Sequence, residues 1–440
     1  MQKDVQTRTM AKVIGRFVPL LTICFIAAFL DRVNIGFAAL TMNKDLGLSA
    51  SVFGLGAGLF FLGYFIFEVP SNLLLERFGA RLWIARIMLT WGLVSGATAF
   101  IHNDTSFYIL RVLLGIAEAG FFPGIIYYFT LWIPKSYRAL TGSTLMAAMP
   151  LASVIGSPVS GLLMSLNGLW GLKGWQLMFL FEAIPSILLA LAVLIVLRDK
   201  PEQAEWLAPD EKQWLTETLA KERAENPTIV HQGFWNILRN PVIVMLSVAY
   251  FGVTGFNYGM SFFLPQIVKG FNLSVIMIGL VSALPFVFGA FGMIWWGRRS
   301  DRKNERYVHM LLPLLLAVIG LGGSTLVAMP AIKLALLCLA SFGVFSAIPV
   351  FWTLPPTLLG PASAAAGIAF VNSIGNLSGF VNPYIVGLVK DATGKFDGGL
   401  QIISGFGVIA MLILAVVIQR HQTRTGVETT HALMAPKQGL

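Results

Sequence analysis

The sequence predicts an all-α membrane protein of twelve transmembrane helices in two pseudo-symmetric six-helix bundles. Three observations carry that prediction: long stretches free of charge, positive charge gathered on one face, and an internal repeat. Of 440 residues, 56% are hydrophobic and 12% charged, too little polarity to cover a water-soluble surface of this size. A helix needs about 20 apolar residues to cross the hydrocarbon layer. The stretches 46–67, 139–172, 240–268, 270–297, 307–332, 334–389 and 398–419 contain no Asp, Glu, Lys or Arg, and 334–389 is long enough for two crossings. The expected spans are 17–40, 50–73, 82–101, 105–131, 137–166 and 175–197, then 241–268, 275–297, 307–328, 333–353, 361–389 and 399–420.

The formal net charge is +10, and its placement argues against nucleic acid as a partner. With both termini in the cytoplasm, 22 of the 31 Lys and Arg fall in cytoplasmic tails and loops. Outer loops take only Lys44, Lys173, Lys269, Lys333, Lys390 and Lys395. That bias favours an even number of spans with both ends inside. The two cysteines, Cys24 and Cys338, lie in apolar spans, so packing is expected of them rather than a disulfide or a metal site. The first apolar run meets Asp31-Arg32 and continues, which suits an uncleaved first helix better than a removable signal.

One long hydrophilic segment, 198–239, divides the chain into an N-terminal bundle (1–197) and a C-terminal bundle (240–420), with a cytoplasmic tail at 421–440. Within the segment, Pro209 to Glu225 reads as a charged helix, and Trp206, Trp214 and Leu215 are available to lie against the membrane surface. The repeat supports the division. An offset of 225 carries Glu76, Arg77 and Arg81, between spans 2 and 3, onto Asp301, Arg302 and Arg306, between spans 8 and 9. It also carries Gly142 to Gly367 and Pro158 to Pro383. Duplicated halves around a central site are a known plan for transporters. An acid and arginines repeated beside helix ends can pair across a tight turn and hold neighbouring helices in one of two arrangements, a gating role. Positive-inside anchoring explains the arginines but not the repeated acid.

Ionisable groups within spans are costly, about 2.5–3.5 kcal/mol each, and mark function by default. Asp31, Arg32, Glu68, Arg111 and Glu118 all fall in the first four spans. Arg111 and Glu118 are seven residues apart and share a helix face. If spans 1 and 4 face one cavity, two guanidiniums and two carboxylates meet there. A guanidinium fork offers a carboxylate two parallel hydrogen bonds and keeps its charge throughout. A buried carboxyl group resists ionisation, and a nearby arginine counters that resistance. An anion bound at the arginines therefore favours protonation of the acids, a route to coupling. The alternative is a salt-bridge network that only holds the helices together. Glu182 and Arg86 read as structural and interfacial. No cofactor is expected, and no cluster of His with Asp, Ser or Cys at membrane depth supports an enzyme or a metal site.

Several strings resemble the major facilitator superfamily, and within it the anion:cation symporter family: FLDRVNIGFA, VPSNLLLERFGARLWIARI, RVLLGIAEAGFFPG, LKGWQLMFLFEAIPS and AAAGIAFVNSIGNLSGFVNPYIVG. Bacterial tartrate, rhamnonate, galactonate and 4-hydroxyphenylacetate transporters look like this, and sialin is more distant. The resemblance implies Asp31 and Glu118 as proton sites, and Arg32, Arg111, Tyr64, Trp352 and Asn372 as substrate contacts. It also implies a monomer in a bacterial inner membrane. By the offset, Arg32, Arg111 and Glu118 become Asn257, Leu336 and Gly343, so the second half offers neutral groups. Among these, Asn257, Asn372 and Asn376 are candidates to read substrate hydroxyls, the last two sharing a face. Phe29 and Met149 stand where relatives carry Tyr and Gln, which leaves room for an aromatic or shorter acid. The expected function is proton-coupled symport of a small organic carboxylate by alternating access. An organic-anion exchanger or exporter is the rival within the fold, and a non-transporting membrane sensor the rival outside it.

Overall fold

A computed structural model of the chain describes residues 2–224, 239–303, 305–359 and 361–434. The later part of the central segment (225–238), Asn304 of the repeated motif and the last residues of the tail (435–440) lie outside the described residues. The chain is almost wholly helical. The first half holds α1 (Gln2–Val33, continued as Ile35–Ala38), α2 (Ala50–Phe78), α3 (Ala80–Ala97), α4 (Asp104–Glu118, continued as Phe121–Trp132), α5 (Lys135–Ser165) and α6 (Gly174–Val196). The second holds α7 (Pro241–Lys269), α8 (Val275–Lys303), α9 (Tyr307–Ser324), α10 (Pro330–Phe351, continued as Leu354–Leu358), α11 (Pro361–Thr393) and α12 (Asp397–Met434).

Local chemistry starts these helices where expected. Ser49 caps α2 by accepting from the Val52 N–H, and Asn103 and Ser106 form a reciprocal capping box at α4. Pro241 and Pro330 open α7 and α10, where a missing N–H costs nothing. Among the described residues, eleven helices are long and apolar enough to cross a membrane. α11 spans 33 residues, carries Asn372, Ser373, Asn376, Ser378 and Asn382, and packs on α2, α7 and α12.

Two expectations about the ends change. α1 begins at Gln2 rather than near residue 17, and its extension meets the linker helix (Pro209–Ala224) through Arg8 with Asp210 and Glu211 and Lys12 with Glu211, at 2.6–2.8 Å. Leu215 is fully buried, and Trp206 stacks on Trp132 (5.9 Å) beneath the Arg16 guanidinium. The linker helix therefore lies against the first half's own helix ends rather than the membrane surface. Acidic and basic side chains meeting there explain the change.

The halves meet mainly along two pairs, α2 with α11 and α5 with α8, and also where the continuation of α1 packs on α7. Both pairs come closest at the face opposite the linker, here the far face. Missing side chains permit it: a Cβ on Gly54 would lie 2.2 Å from the Pro383 carbonyl oxygen, and one on Gly161 3.0 Å from the Gly279 backbone. The Lys269 ammonium adds a hydrogen bond to the Leu40 carbonyl, 2.6 Å, across the same face. Toward the linker, Gly142 of α5 has nothing within 4 Å of where a Cβ would stand.

Candidate functional site

α1 runs on through Asn34, two residues beyond Arg32, with helical dihedrals (φ −58°, ψ −27°). α4 is interrupted at Ala119–Gly120, directly after Glu118, where Gly120 adopts φ 84°. That left-handed geometry suits glycine, and a Cβ there would lie 2.5 Å from the Ser71 hydroxyl. Arg32 and Glu118 meet as a buried ion pair between α1 and α4. Around the Arg32 guanidinium stand the rings of Phe29 (4.9 Å), Phe60 (5.1 Å) and Tyr64 (5.5 Å). Arg32 Nε has no acceptor among the described residues. Such a group presents a charged fork against aromatic walls, with donor capacity left over.

Asp31 is not in this cluster. It is 1% exposed and lies between α1, α3 and α6, accepting from Trp91 Nε1 (2.9 Å), Ser95 Oγ (2.9 Å) and Ser186 Oγ (2.8 Å). Successive residues of a helix point about 100° apart, so adjacency in sequence separates Asp31 from Arg32. Arg111 is also 1% exposed and is turned toward α2, donating to the carbonyls of Gly56 (3.4 Å) and Ala57 (3.2 Å). Its guanidinium lies 5.1 Å from the Phe60 ring, the same distance as Arg32. The expected meeting of two guanidiniums and two carboxylates is thus reduced to one pair, Arg32 with Glu118. Arg111 stands behind Phe60 and Asp31 in a separate interface. Glu68 is buried on α2 one turn from Tyr64.

The second half supplies neutral groups. Tyr258 of α7 reaches the Arg32 guanidinium and donates its hydroxyl to Asn376 Oδ1, 3.1 Å. Its ring meets Phe61 of α2 at 4.5 Å, which joins the halves at mid-depth. Asn372, one turn from Asn376, is half-buried, and Asn257 is buried beside Tyr258. Trp352 follows Phe351 of α10 and donates to the Tyr250 hydroxyl, 3.2 Å. Phe60, Tyr250 and Asn34 escaped the sequence reading. Phe60 stands four residues before Tyr64, so its place on that helix face was available in the spacing.

The repeated motif lies mostly within helix. Asp301 pairs with Arg306 at 2.8 Å, and Arg306 also reaches Ser300. In the first copy the partners differ. Arg81 Nε donates to the Leu194 carbonyl of α6 (2.8 Å), and its backbone N–H donates to Asp199 (2.9 Å). Glu76 and Arg77 are exposed on the last turn of α2, and Arg302 on that of α8. Glu182 accepts from Asn34 (2.9 Å) and Ser160 (2.6 Å), tying α6 to α1 and α5.

Residues 21–383 match the Major Facilitator Superfamily. A protein of Agrobacterium vitis named as a tartrate transporter is 48% identical over 432 residues, covering 98% of this chain and 95% of its own. A quinolone resistance transporter of Acinetobacter baumannii is 42% identical over 426 residues, covering 96% and 98%. Among solved structures, a bacterial homologue of the human lysosomal transporter Spinster, inward-facing, aligns with TM-score 0.75 at 19% identity over 93% of this chain and 97% of that one. That likeness concerns the fold. The match across most of the chain and the high identity to transporters settle the family: this chain is a multi-pass membrane transporter of the Major Facilitator Superfamily, not an enzyme.

Proposed function

We propose that the chain is a proton-coupled symporter for a small organic carboxylate, working by alternating access across the bacterial cytoplasmic membrane as a monomer with both termini inside. The carrying observation is the buried ion pair of Arg32 and Glu118. A substrate carboxylate competes with Glu118 for the same guanidinium. Freeing Arg32 strands Glu118 in an apolar setting, where an unpaired anion is costly. A proton on Glu118 removes that cost, so anion and proton are taken together. Asp31 is the second proton site, buried among neutral donors. Arg111, two turns from Glu118, adds positive field from behind Phe60, and Tyr64 walls the chamber. Tyr258, Asn376, Asn372, Asn257 and Trp352 read the substrate's hydroxyls and shape.

The moving bodies are residues 1–197 and 240–420, joined by the cytoplasmic linker 198–239, with 421–440 as a cytoplasmic tail. Glu76, Arg77, Arg81, Asp301, Arg302 and Arg306 gate the cytoplasmic side. The charge distribution supports this orientation, which makes the closed far face the outer one. Uptake of a monoanion with one proton is electroneutral. The name of the Agrobacterium relative supports tartrate as the first substrate to try, and a thermal-shift screen adding aldonates, uronates and aromatic acids extends the choice. In proteoliposomes, Glu118→Gln should lose tartrate uptake driven by a pH gradient yet keep tartrate exchange. Full retention of gradient-driven uptake would overturn the proton assignment.

The quinolone resistance relative supports a second reading, an exchanger or exporter of the same fold. Counterflow measured beside gradient-driven uptake separates the two. An exchanger shows counterflow alone.

A further inference from the structure

Asp391, in the last turn of α11, reaches from the second half to the first. Its carboxylate accepts from the backbone N–H groups of Ala50 (2.9 Å) and Ser51 (2.8 Å). These are the first two residues of α2, whose opening N–H groups have no partner within the helix. Ser49 serves Val52 at 3.2 Å, so the cap of α2 is shared between a local hydroxyl and a carboxylate from the other half. Negative charge there also meets the positive end of the helix dipole.

The contact continues inward. A Cβ on Gly387, one turn before Asp391, would lie 2.3 Å from the Ala50 carbonyl oxygen, and one on Gly58 2.7 Å from that of Phe380. Backbone therefore touches backbone along the outer part of α2 and α11, with Asp391 at its end. Lys390 does not compete, since it turns back to the Gly394 carbonyl and the Phe396 ring. The pseudo-symmetric contact of α5 with α8 lacks the feature. By the 225 offset Asp391 corresponds to Leu166, which ends α5. Among the described residues, the start of α8 shows a local contact, Met277 N–H to Ser274 Oγ at 3.4 Å.

A cap made within one half persists in every arrangement of the halves. This one exists only while the far face is shut. We infer that Asp391 is a gating residue, a one-sided latch whose carboxylate holds the far face closed by completing the cap of α2. The inference rests on alternating access but not on proton coupling.

The test is a distance measurement between spin labels at Lys44→Cys and Lys395→Cys, both exposed in far-face turns of opposite halves. The full-length background carries Cys24→Ala and Cys338→Ser. Asp391→Ala should raise the ratio of long to short distances about fivefold, and Asp391→Glu should restore much of the short-distance population. Ala50→Pro tests the partner without touching the acid. It removes one donated N–H at the first helical position, where proline is tolerated, and should shift the ratio the same way even if Asp391→Ala fails to fold. A background that samples both distances, with Asp391→Ala or Ala50→Pro unchanged from it, overturns the latch alone. A background showing one distance at every pH and tartrate concentration overturns alternating access as well.

Discussion

Two arginines lie equally far from the Phe60 ring centre and do different work, because their partners differ. Arg32 meets a carboxylate and keeps an unmatched Nε, whereas Arg111 meets two backbone carbonyls of α2. A lysine at either place keeps the charge and loses the planar fork. Arg32→Lys should therefore lower tartrate uptake about tenfold or more while the purified protein keeps its melting temperature. Arg111→Lys should do the reverse, costing about 1–3 kcal/mol of stability by unsatisfying the α2–α4 tie with little change in half-saturation. Initial rates in proteoliposomes, paired with tryptophan-monitored unfolding in detergent, decide this. Loss of uptake at unchanged stability in Arg111→Lys would make it a direct substrate ligand. The seven-residue spacing made a shared face for Arg111 and Glu118 legible in the sequence. It could not say which neighbour each side chain meets, because helical periodicity fixes one helix's faces and not the rotation of the helices around it. Asp31 shows the same limit, being drawn to Trp91, Ser95 and Ser186 on helices distant in sequence.

A helix breaks where the candidate site is built: Ala119–Gly120 leaves helical geometry directly after Glu118, and non-helical backbone at membrane depth is tolerated only inside protein or along a polar cavity. Gly120→Ala should place a Cβ against Ser71 and force φ 84° on a residue that resists it. We expect a loss of about 1–2 kcal/mol, seen as a lower melting temperature, and weaker uptake as Glu118 moves. Gly142→Ala is the counterpart, since open space in a helix interior should yield a gain of up to about 1 kcal/mol. Equal melting temperatures for the two variants would show that the break stores no constraint. Long apolar runs placed most spans to within a few residues. They missed the extension of α1 and the continuation of α2 to Phe78 and α8 to Lys303, because hydropathy marks the membrane slab while hydrogen bonding carries helices past it. The break at Ala119–Gly120 was hidden for a related reason: Gly120 resembles many glycines that simply allow close packing.

At the scale of the whole molecule, the 225-residue offset links places where the halves touch. Pro158 and Pro383, matched by that offset, both stand at contacts between halves, one against Gly279 and the other against Gly54. Which face those contacts would close was not legible, since a repeat specifies equivalent positions and leaves the rocking angle free. The contacts yield a further prediction that spares the candidate site. Gly54 packs on α11 and Gly161 on α8, each across the boundary between halves, so the nearest atoms that a larger side chain meets at either belong to the other half. Gly54→Val puts branched carbons where even a Cβ would stand 2.2 Å from a carbonyl oxygen, a clash the backbone cannot absorb. The far face should then fail to shut, leaving tartrate binding, read as a thermal shift, intact while uptake falls to background. Gly161→Val should give the same pattern through the other pair if the halves rock as two bodies. Should Gly54→Val block uptake while Gly161→Val leaves it untouched, the α2–α11 contact moves on its own, and rigid rocking of the halves is the wrong description.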